Sequence, residues 1–121
     1  MTTYVQINGI QYPATITGRL SDHEWDGRAS KAITIAMSYT EAIDLFVNDV
    51  EWSIAQDHEV IRELPNDNGE FIPQLVIEQE IYDNSEYSLA GPITDHRDGT
   101  ITIKMGKPKA EEILAMLEGV L

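Results

Sequence analysis

Apolar and polar residues alternate with a period of two over Tyr4–Ile7 and again from Ile10 to Leu20. In the second run Ile10, Tyr12, Ala14, Ile16, Gly18 and Leu20 share one face, and Gln11, Thr15, Thr17 and Arg19 the other, which is the pattern of a half-buried β-strand. Asn8-Gly9 between the runs supplies the pair of positive-φ residues of a type I′ turn, so the N-terminus predicts a tight hairpin. Ala32–Met37 reads as a third strand. Ser38-Tyr39-Thr40-Glu41 then has the spacing of a capping box and opens a short helix that ends near Asn48, with Ile43, Phe46, Val47 and Val50 as its core-facing stripe. From Glu51 the period returns to two: Trp52 and Ile54 alternate with Glu51 and Ser53, and Leu75, Ile77 and Ile81 with Glu78 and Glu80. Two long strands with an acidic outer face follow from this pattern. Pro65-Asn66-Asp67-Asn68-Gly69 is the turn between them, and the pair predicts a protruding hairpin whose acids also oppose edge-to-edge association. Pro73 places the second strand at a sheet edge or delays its start. A last helix runs from about Pro108 to Glu118, with Ile113, Met116, Leu117 and Val120 as its apolar stripe; Glu111 and Glu112 offset Lys107 and Lys109 at its positive end.

One arrangement occurs twice. Gly18-Arg19-Leu20-Ser21-Asp22-His23, Asp26-Gly27 and Ile33-Thr34-Ile35-Ala36-Met37 have counterparts in Gly91-Pro92-Ile93-Thr94-Asp95-His96, Asp98-Gly99 and Ile101-Thr102-Ile103-Lys104-Met105. Each copy is a strand, a turn, a second strand and a helix, so the chain reads as a degenerate repeat of one unit. Shared β grammar accounts for part of the match, because Asp-Gly turns and alternating Thr are common in hairpins. The expected fold is α+β: an antiparallel sheet or partial barrel with two short helices. It forms a single domain over residues 1–121, with repeat-like halves at about 10–48 and 86–121 and an acidic hairpin inserted at about 50–83.

Charge sharpens this division. Residues 1–40 carry three acids and three bases and residues 96–121 four of each, whereas residues 41–95 carry fourteen acids and Arg62 as the one base. The whole net charge of −13 therefore lies between the two copies. Such a surface repels phosphate backbones and anionic lipid, which argues against direct nucleic-acid or membrane binding and suits a basic protein partner, a cation or solubility. The 121 residues, 42% of them apolar, suffice for one core, and the absence of cysteine removes thiol redox chemistry and thiolate metal ligation. The first residues carry neither a basic leader nor a long apolar segment, so a cytoplasmic product is expected.

Candidate chemistry is sparse. Asp22-His23 and Asp95-His96 would ligate a divalent transition metal if the two turns met; as ordinary turn residues, each Asp would accept backbone N–H bonds and each His would be exposed. Asn66-Asp67-Asn68-Gly69-Glu70 has the oxygen-rich start of a calcium loop without its downstream ligand, which leaves a hairpin turn. Ser21, Asp22 and His23 are consecutive, and neighbours on a strand point to opposite faces, so they form no relay. No nucleophile elbow, phosphate loop or dinucleotide fingerprint is present, and no cofactor is implied. For interaction, Trp25 with Arg28 offers the two side-chain types that dominate hot spots, and Glu78 and Glu80 head the acidic strand face. Trp25 alternatively folds back as a lid over the sheet. Trp52, in an alternating strand, is a core residue.

The run Tyr4-Val5-x-Ile7-Asn8-Gly9 with Tyr12-Pro13-Ala14, then Trp25-Asp26-Gly27-Arg28-x-Ser30-Lys31-x-Ile33-Thr34, and Asp83-Asn84-Ser85-Glu86-Tyr87 through Gly91 to Lys107-Pro108, resembles small uncharacterised prophage proteins of Gram-positive gut bacteria. The similarity spans most of the chain except the 57–80 hairpin. No activity attaches to that group, so no catalytic residues carry over. The resemblance implies a phage context: a non-enzymatic structural or assembly protein of the tail or neck, acting through protein contacts or self-association and incorporated into a virion. Two other classes stay open, an acidic binding module that mimics nucleic acid or adapts a basic protein, and a metal-dependent enzyme built on the Asp-His pairs.

Overall fold

The computed structural model describes residues 2–120, and within the last helix the side chains of all but Met116, Gly119 and Val120. The elements are β1 (Thr3–Ile7), β2 (Ile10–Asp22), a single 3-10 turn (His23–Trp25), β3 (Arg28–Ala36), α1 (Tyr39–Leu45), β4 (Ser53–Pro65), β5 (Phe71–Asp83), β6 (Leu89–Asp95), β7 (Thr100–Gly106) and α2 (Ala110–Val120). The seven strands form one antiparallel sheet in the order β5-β4-β1-β2-β3-β7-β6. No helix among the described residues is long and apolar enough to cross a membrane.

Local chemistry explains the start of the sheet. Asn8 and Gly9 both take positive φ, 55° and 77°, and close the β1–β2 hairpin with Ile7 opposite Ile10. Cross-strand register then stacks apolar residues on one face: Val5 faces Tyr12 and Ile54, Ile33 faces Ile16 and Ile103, and Ile35 faces Ala14 and Ile101. Val5, Ile7, Ile33, Ile35, Ile101, Ile103 and Met105 are buried there under Ala42 and Phe46, with Trp52 closing the same cluster. Ser38 caps α1 as its spacing requires, its Oγ accepting from the Glu41 N–H at 3.1 Å.

The sheet is antiparallel as expected and is not a closed barrel, because β5 and β6 remain edges. The architecture departs from expectation in three places. Helix α1 stops at Leu45, since Phe46 leaves helical geometry at φ −94° and ψ 81°; the face turned inward is Ala42, Leu45 and Phe46, and Ile43 and Val47 are exposed. On β2 the half-buried face holds only for Tyr12, Ala14 and Ile16, which pack on the core, while Ile10 and Leu20 are exposed. On α2, Ile113 and Leu117 are exposed, and the expected stripe positions Met116 and Val120 lie outside the described residues.

Strands β4 and β5 pair along all 13 residues, from Ser53 opposite Asp83 to Pro65 opposite Phe71, whereas β1 covers the other edge of β4 only from Ser53 to Gln56 and by one further bond, Asp57 N–H to the Thr2 carbonyl. Beyond that point the hairpin is a two-stranded arm that leaves the sheet for about 25 Å at 3.3 Å per residue.

Candidate interaction site

Two regions hold the residues singled out from the sequence. The first surrounds the β2–β3 turn. Asp22 is fully buried, and its carboxylate accepts from the Glu24 N–H (3.0 Å), Ser30 Oγ (2.9 Å), Lys104 Nζ (3.0 Å) and Arg19 Nη1 (3.3 Å). The Lys104 ammonium, helped by Ser30 and the Glu24 amide, holds the Asp22 carboxyl down to about 2; Asp22 in turn raises Lys104, which also contacts Glu24 at 3.1 Å. This carboxylate organises the turn instead of waiting for a metal.

Trp25 follows on the 3-10 turn, with its ring laid on Gly91 and Gly106. A Cβ on either glycine would stand 2.6 Å from the indole, so two backbone positions without side chains form the seat of the ring. Arg28 stacks on the other partner side of this cluster, its guanidinium carbon 5.1 Å from the Trp25 centroid. Its Nη1 and Nη2 donate to the two oxygens of Glu112 at 2.6 and 3.0 Å, and Nη1 also reaches the Lys107 carbonyl. Glu112 Oε1 further accepts from the Lys109 N–H, which caps the start of α2. The Arg28 guanidinium holds the Glu112 carboxyl down to about 2. Trp25 and Arg28, expected to offer themselves to a partner, are thus engaged within the chain as a clamp from β3 over β6 and β7 to α2. The lid reading of Trp25 describes its placement.

The clamp yields a direct expectation. Gly106→Ala would destabilise by about 1–3 kcal/mol through overpacking against Trp25 and Arg28 Cδ, because the backbone on one side and a pinned guanidinium on the other leave the indole little room to shift. Urea denaturation of Gly106→Ala, Trp25→Ala and the double variant checks it: the alanine at 106 should cost much less once the indole is gone.

Asp22-His23 and Asp95-His96 are not brought together. Strands β3 and β7 run antiparallel with Ala36 opposite Thr100 and Ser30 opposite Gly106, so the first turn lies at one end of the ladder and the second at the other, about 25 Å apart along β3. Asp95 accepts from the Arg97 N–H and the His96 ring bonds Thr102, while His23 is exposed. Among the described residues no group of three or more metal-ligating side chains is placed to hold an ion. Asn66, from the calcium-like run, uses its side-chain oxygen to accept the Asn68 and Glu70 N–H groups and so closes the hairpin turn.

The second region is the arm. Glu78 is held by Arg62 through two bonds of 2.6 and 2.7 Å, which lower the carboxylate, and Glu80 contacts Tyr82 and His58. Both acids point to one face. The other face, continuous with the side of the sheet away from the core, carries Phe71, Leu75, Ile77 and Ile81 in one row with Ile61 opposite Leu75, all between 53% and 70% exposed. Asp57, Glu59 and Glu63 line the β4 side of this same face. The expected acidic outer face is therefore only half of the arm: the apolar face that should have met a core is also open to solvent. A sequence signal for this existed, because a hairpin closed at Asn66–Glu70 sets Glu59 opposite Ile77 and Glu63 opposite Pro73, and a row of acids does not share a face with a core.

Comparison of the chain with protein-family models, with curated proteins and with solved structures finds no match in any of the three.

Proposed function

We propose that this chain is a non-enzymatic assembly component that joins other protein through its β4–β5 arm, in the phage tail or neck setting that the sequence resemblance implies. The observation that carries the reading is the uncovered apolar row of Phe71, Leu75, Ile77 and Ile81 on an element that projects from the sheet. Contiguous apolar surface of this kind on a soluble face marks a place that another macromolecule covers. The clamp at Trp25 supports the same division of labour by tying α2, β3, β6 and β7 together within the body. The pairing of the two Ile-Thr-Ile segments, with Thr34 opposite Thr102 and their hydroxyls 2.8 Å apart, supports the further reading of β2–β3–α1 and β6–β7–α2 as copies of one unit around a local dyad.

A second reading has its own observation. Residues 53–83 carry eight acids and one base, which suits an adaptor for a basic protein. Light scattering after size exclusion, at low and high salt, separates the two. Assembly through the apolar row predicts a discrete oligomer that persists in high salt and becomes monomeric in Leu75→Thr with Ile77→Thr, with the thermal midpoint within a few degrees of wild type because both side chains are exposed in the single chain. An oligomer indifferent to those substitutions rejects the arm as the contact. A monomer at both salts rejects self-assembly and favours the acidic adaptor, whose binding to a basic probe such as polylysine should collapse as salt rises.

A further inference from the structure

We infer that the partner of the arm is a second copy of this chain, joined edge to edge by antiparallel pairing of β5 with β5 about a two-fold axis at Val76. This inference rests on the reading of the arm as the assembly contact and names what occupies it.

Strand β5 is the end of the sheet, and the hydrogen bonds at both ends of the hairpin decide which of its backbone groups are free. Asn66 N–H reaches the Glu70 carbonyl and Asn84 N–H the Trp52 carbonyl, so the even-numbered residues bond across to β4 and the odd-numbered ones form the non-bonded pairs. The N–H and C=O groups of Phe71, Leu75, Ile77, Gln79 and Ile81 therefore point outward along an unpaired edge; Pro73 also faces outward and offers its carbonyl alone, and no donor toward β4 is lost there. The same residues carry the apolar row. Free backbone groups and uncovered side chains thus coincide on one strand.

The opposite edge of the sheet is different. Strand β6 has seven residues and breaks register between Ala90 and Ile93, which are devices that keep an edge from pairing. Strand β5 is almost twice as long and unbroken in register. Of its acids, Glu78 and Glu80 lie on the other face, where Arg62 neutralises Glu78, while Asp83 shares the face of the apolar row with Asp57, Glu59 and Glu63 of β4.

Only some registers place apolar on apolar. With the axis at Val76, Leu75 meets Ile77 and Phe71 meets Ile81, each twice by symmetry, and Glu78 and Glu80 meet Gln74 and Ile72 rather than each other. Moving the axis to Ile77 sets Phe71 against Asp83 and Leu75 against Gln79. Pairing over residues 71–81 covers a strip about 37 Å long on each copy. Since both arms are acidic, the dimer tightens as salt rises, opposite to an acidic adaptor on a basic protein.

The chain has no cysteine, so introduced ones report without background. Single cysteines at 74, 75, 76, 77 and 78 are oxidised in dilute solution and the covalent dimer is read on a denaturing gel, with Val60→Cys, one strand inward, as control. The expected result is a maximum at Val76→Cys, where a non-bonded pair on the axis brings the two Cα atoms within disulfide reach. Alongside, Ile77→Pro removes one outward N–H and leaves the β4 ladder whole; it should weaken dimerisation at least tenfold in sedimentation equilibrium with the circular dichroism spectrum preserved. A wild-type oligomer that survives Ile77→Pro, with no cross-linking maximum at 76, overturns edge pairing; if Leu75→Thr with Ile77→Thr still disperses it, the arm remains the contact by its face. If neither set disperses it, both readings fall. A wild-type monomer without cross-linking overturns the second copy as partner and leaves the arm to a different protein.

Discussion

Truncation of Trp52 to alanine is expected to remove about 3–5 kcal/mol of stability, a large part of the 5–15 kcal/mol that holds a domain of this kind together. The side chain is 1% exposed and is the largest in the core. The residue also anchors four hydrogen bonds at the root of the arm: its indole N–H donates to the Tyr87 carbonyl at 3.1 Å, its backbone N–H to Ser85 Oγ, and its carbonyl accepts from the Asn84 N–H and from Ser85 Oγ. The residue therefore joins the start of β4 to the segment leaving β5, so that both ends of the arm enter the body at one place. Trp52→Phe should keep most of the packing and leave the Tyr87 carbonyl without its donor, for a smaller loss of about 1–2 kcal/mol. Urea titration followed by circular dichroism measures both, and equal losses in the two variants would show that the hydrogen bond, not the cavity, dominates.

Acid is expected to unfold the protein, with Asp22 and Glu112 carrying much of the effect. Both carboxyls are held at about 2 in the folded chain, against ordinary values of 3.8 and 4.5, by the Lys104 ammonium and the Arg28 guanidinium respectively. A folded-state pKa below the unfolded one means that the unfolded chain binds more protons, so the stability from these two groups is complete above about pH 4.5 and is lost as pH falls toward 2. Relief of the repulsion within a chain of net charge −13 acts in the other direction and alike on wild type and variants, so the difference between them isolates the two sites. Asp22→Asn with Glu112→Gln should be less stable than wild type at pH 7 and should show a flatter acid limb, the two curves converging near pH 2. Parallel curves from pH 7 to 2 would mean that neither carboxylate gains from its cation. Asp22→Ala should lose more than Asp22→Asn at pH 7, since it also removes the acceptor for Ser30 and the Glu24 amide.

Both expectations depend on features of unequal visibility in the sequence. Trp52 was legible as core because it alternates with Glu51 and Ser53, and the Asn8-Gly9 hairpin and the Ser38 cap were legible because their chemistry acts within four residues. Asp22 is a turn residue by its sequence and in the fold, where its carboxylate accepts the Glu24 amide; nothing local announces that Lys104, 82 residues on, completes it. The clamp was hidden for the same reason. Trp25 and Arg28 look like an exposed hot spot until Gly91, Gly106 and Glu112, each more than sixty residues away in the chain, form the seat and the counter-ion.

The paired Asp-His turns show why a sequence pattern left a site undecided. The two Ile-Thr-Ile motifs do meet, with Thr34 opposite Thr102, but they meet antiparallel, and antiparallel pairing sends the turns that precede them to opposite ends of the ladder. Sequence periodicity carries no information on that direction.

By itself the sequence determined the strands, their turns and the alternation of side chains along each, because these follow from backbone preferences and from periods of two and 3.6 residues that neighbours impose on one another. It also determined that charge is concentrated between residues 41 and 95. Only the tertiary structure decided which of two apolar faces finds a cover. Phe46 and Ala42 turn inward while Ile43 does not, and β5 presents the same alternation as β7 yet keeps Leu75 and Ile77 in water while Ile101 and Ile103 are buried. The physical reason is that alternation specifies two faces of a strand, and burial depends on a second layer and on neighbouring strands that are supplied by distant parts of the chain.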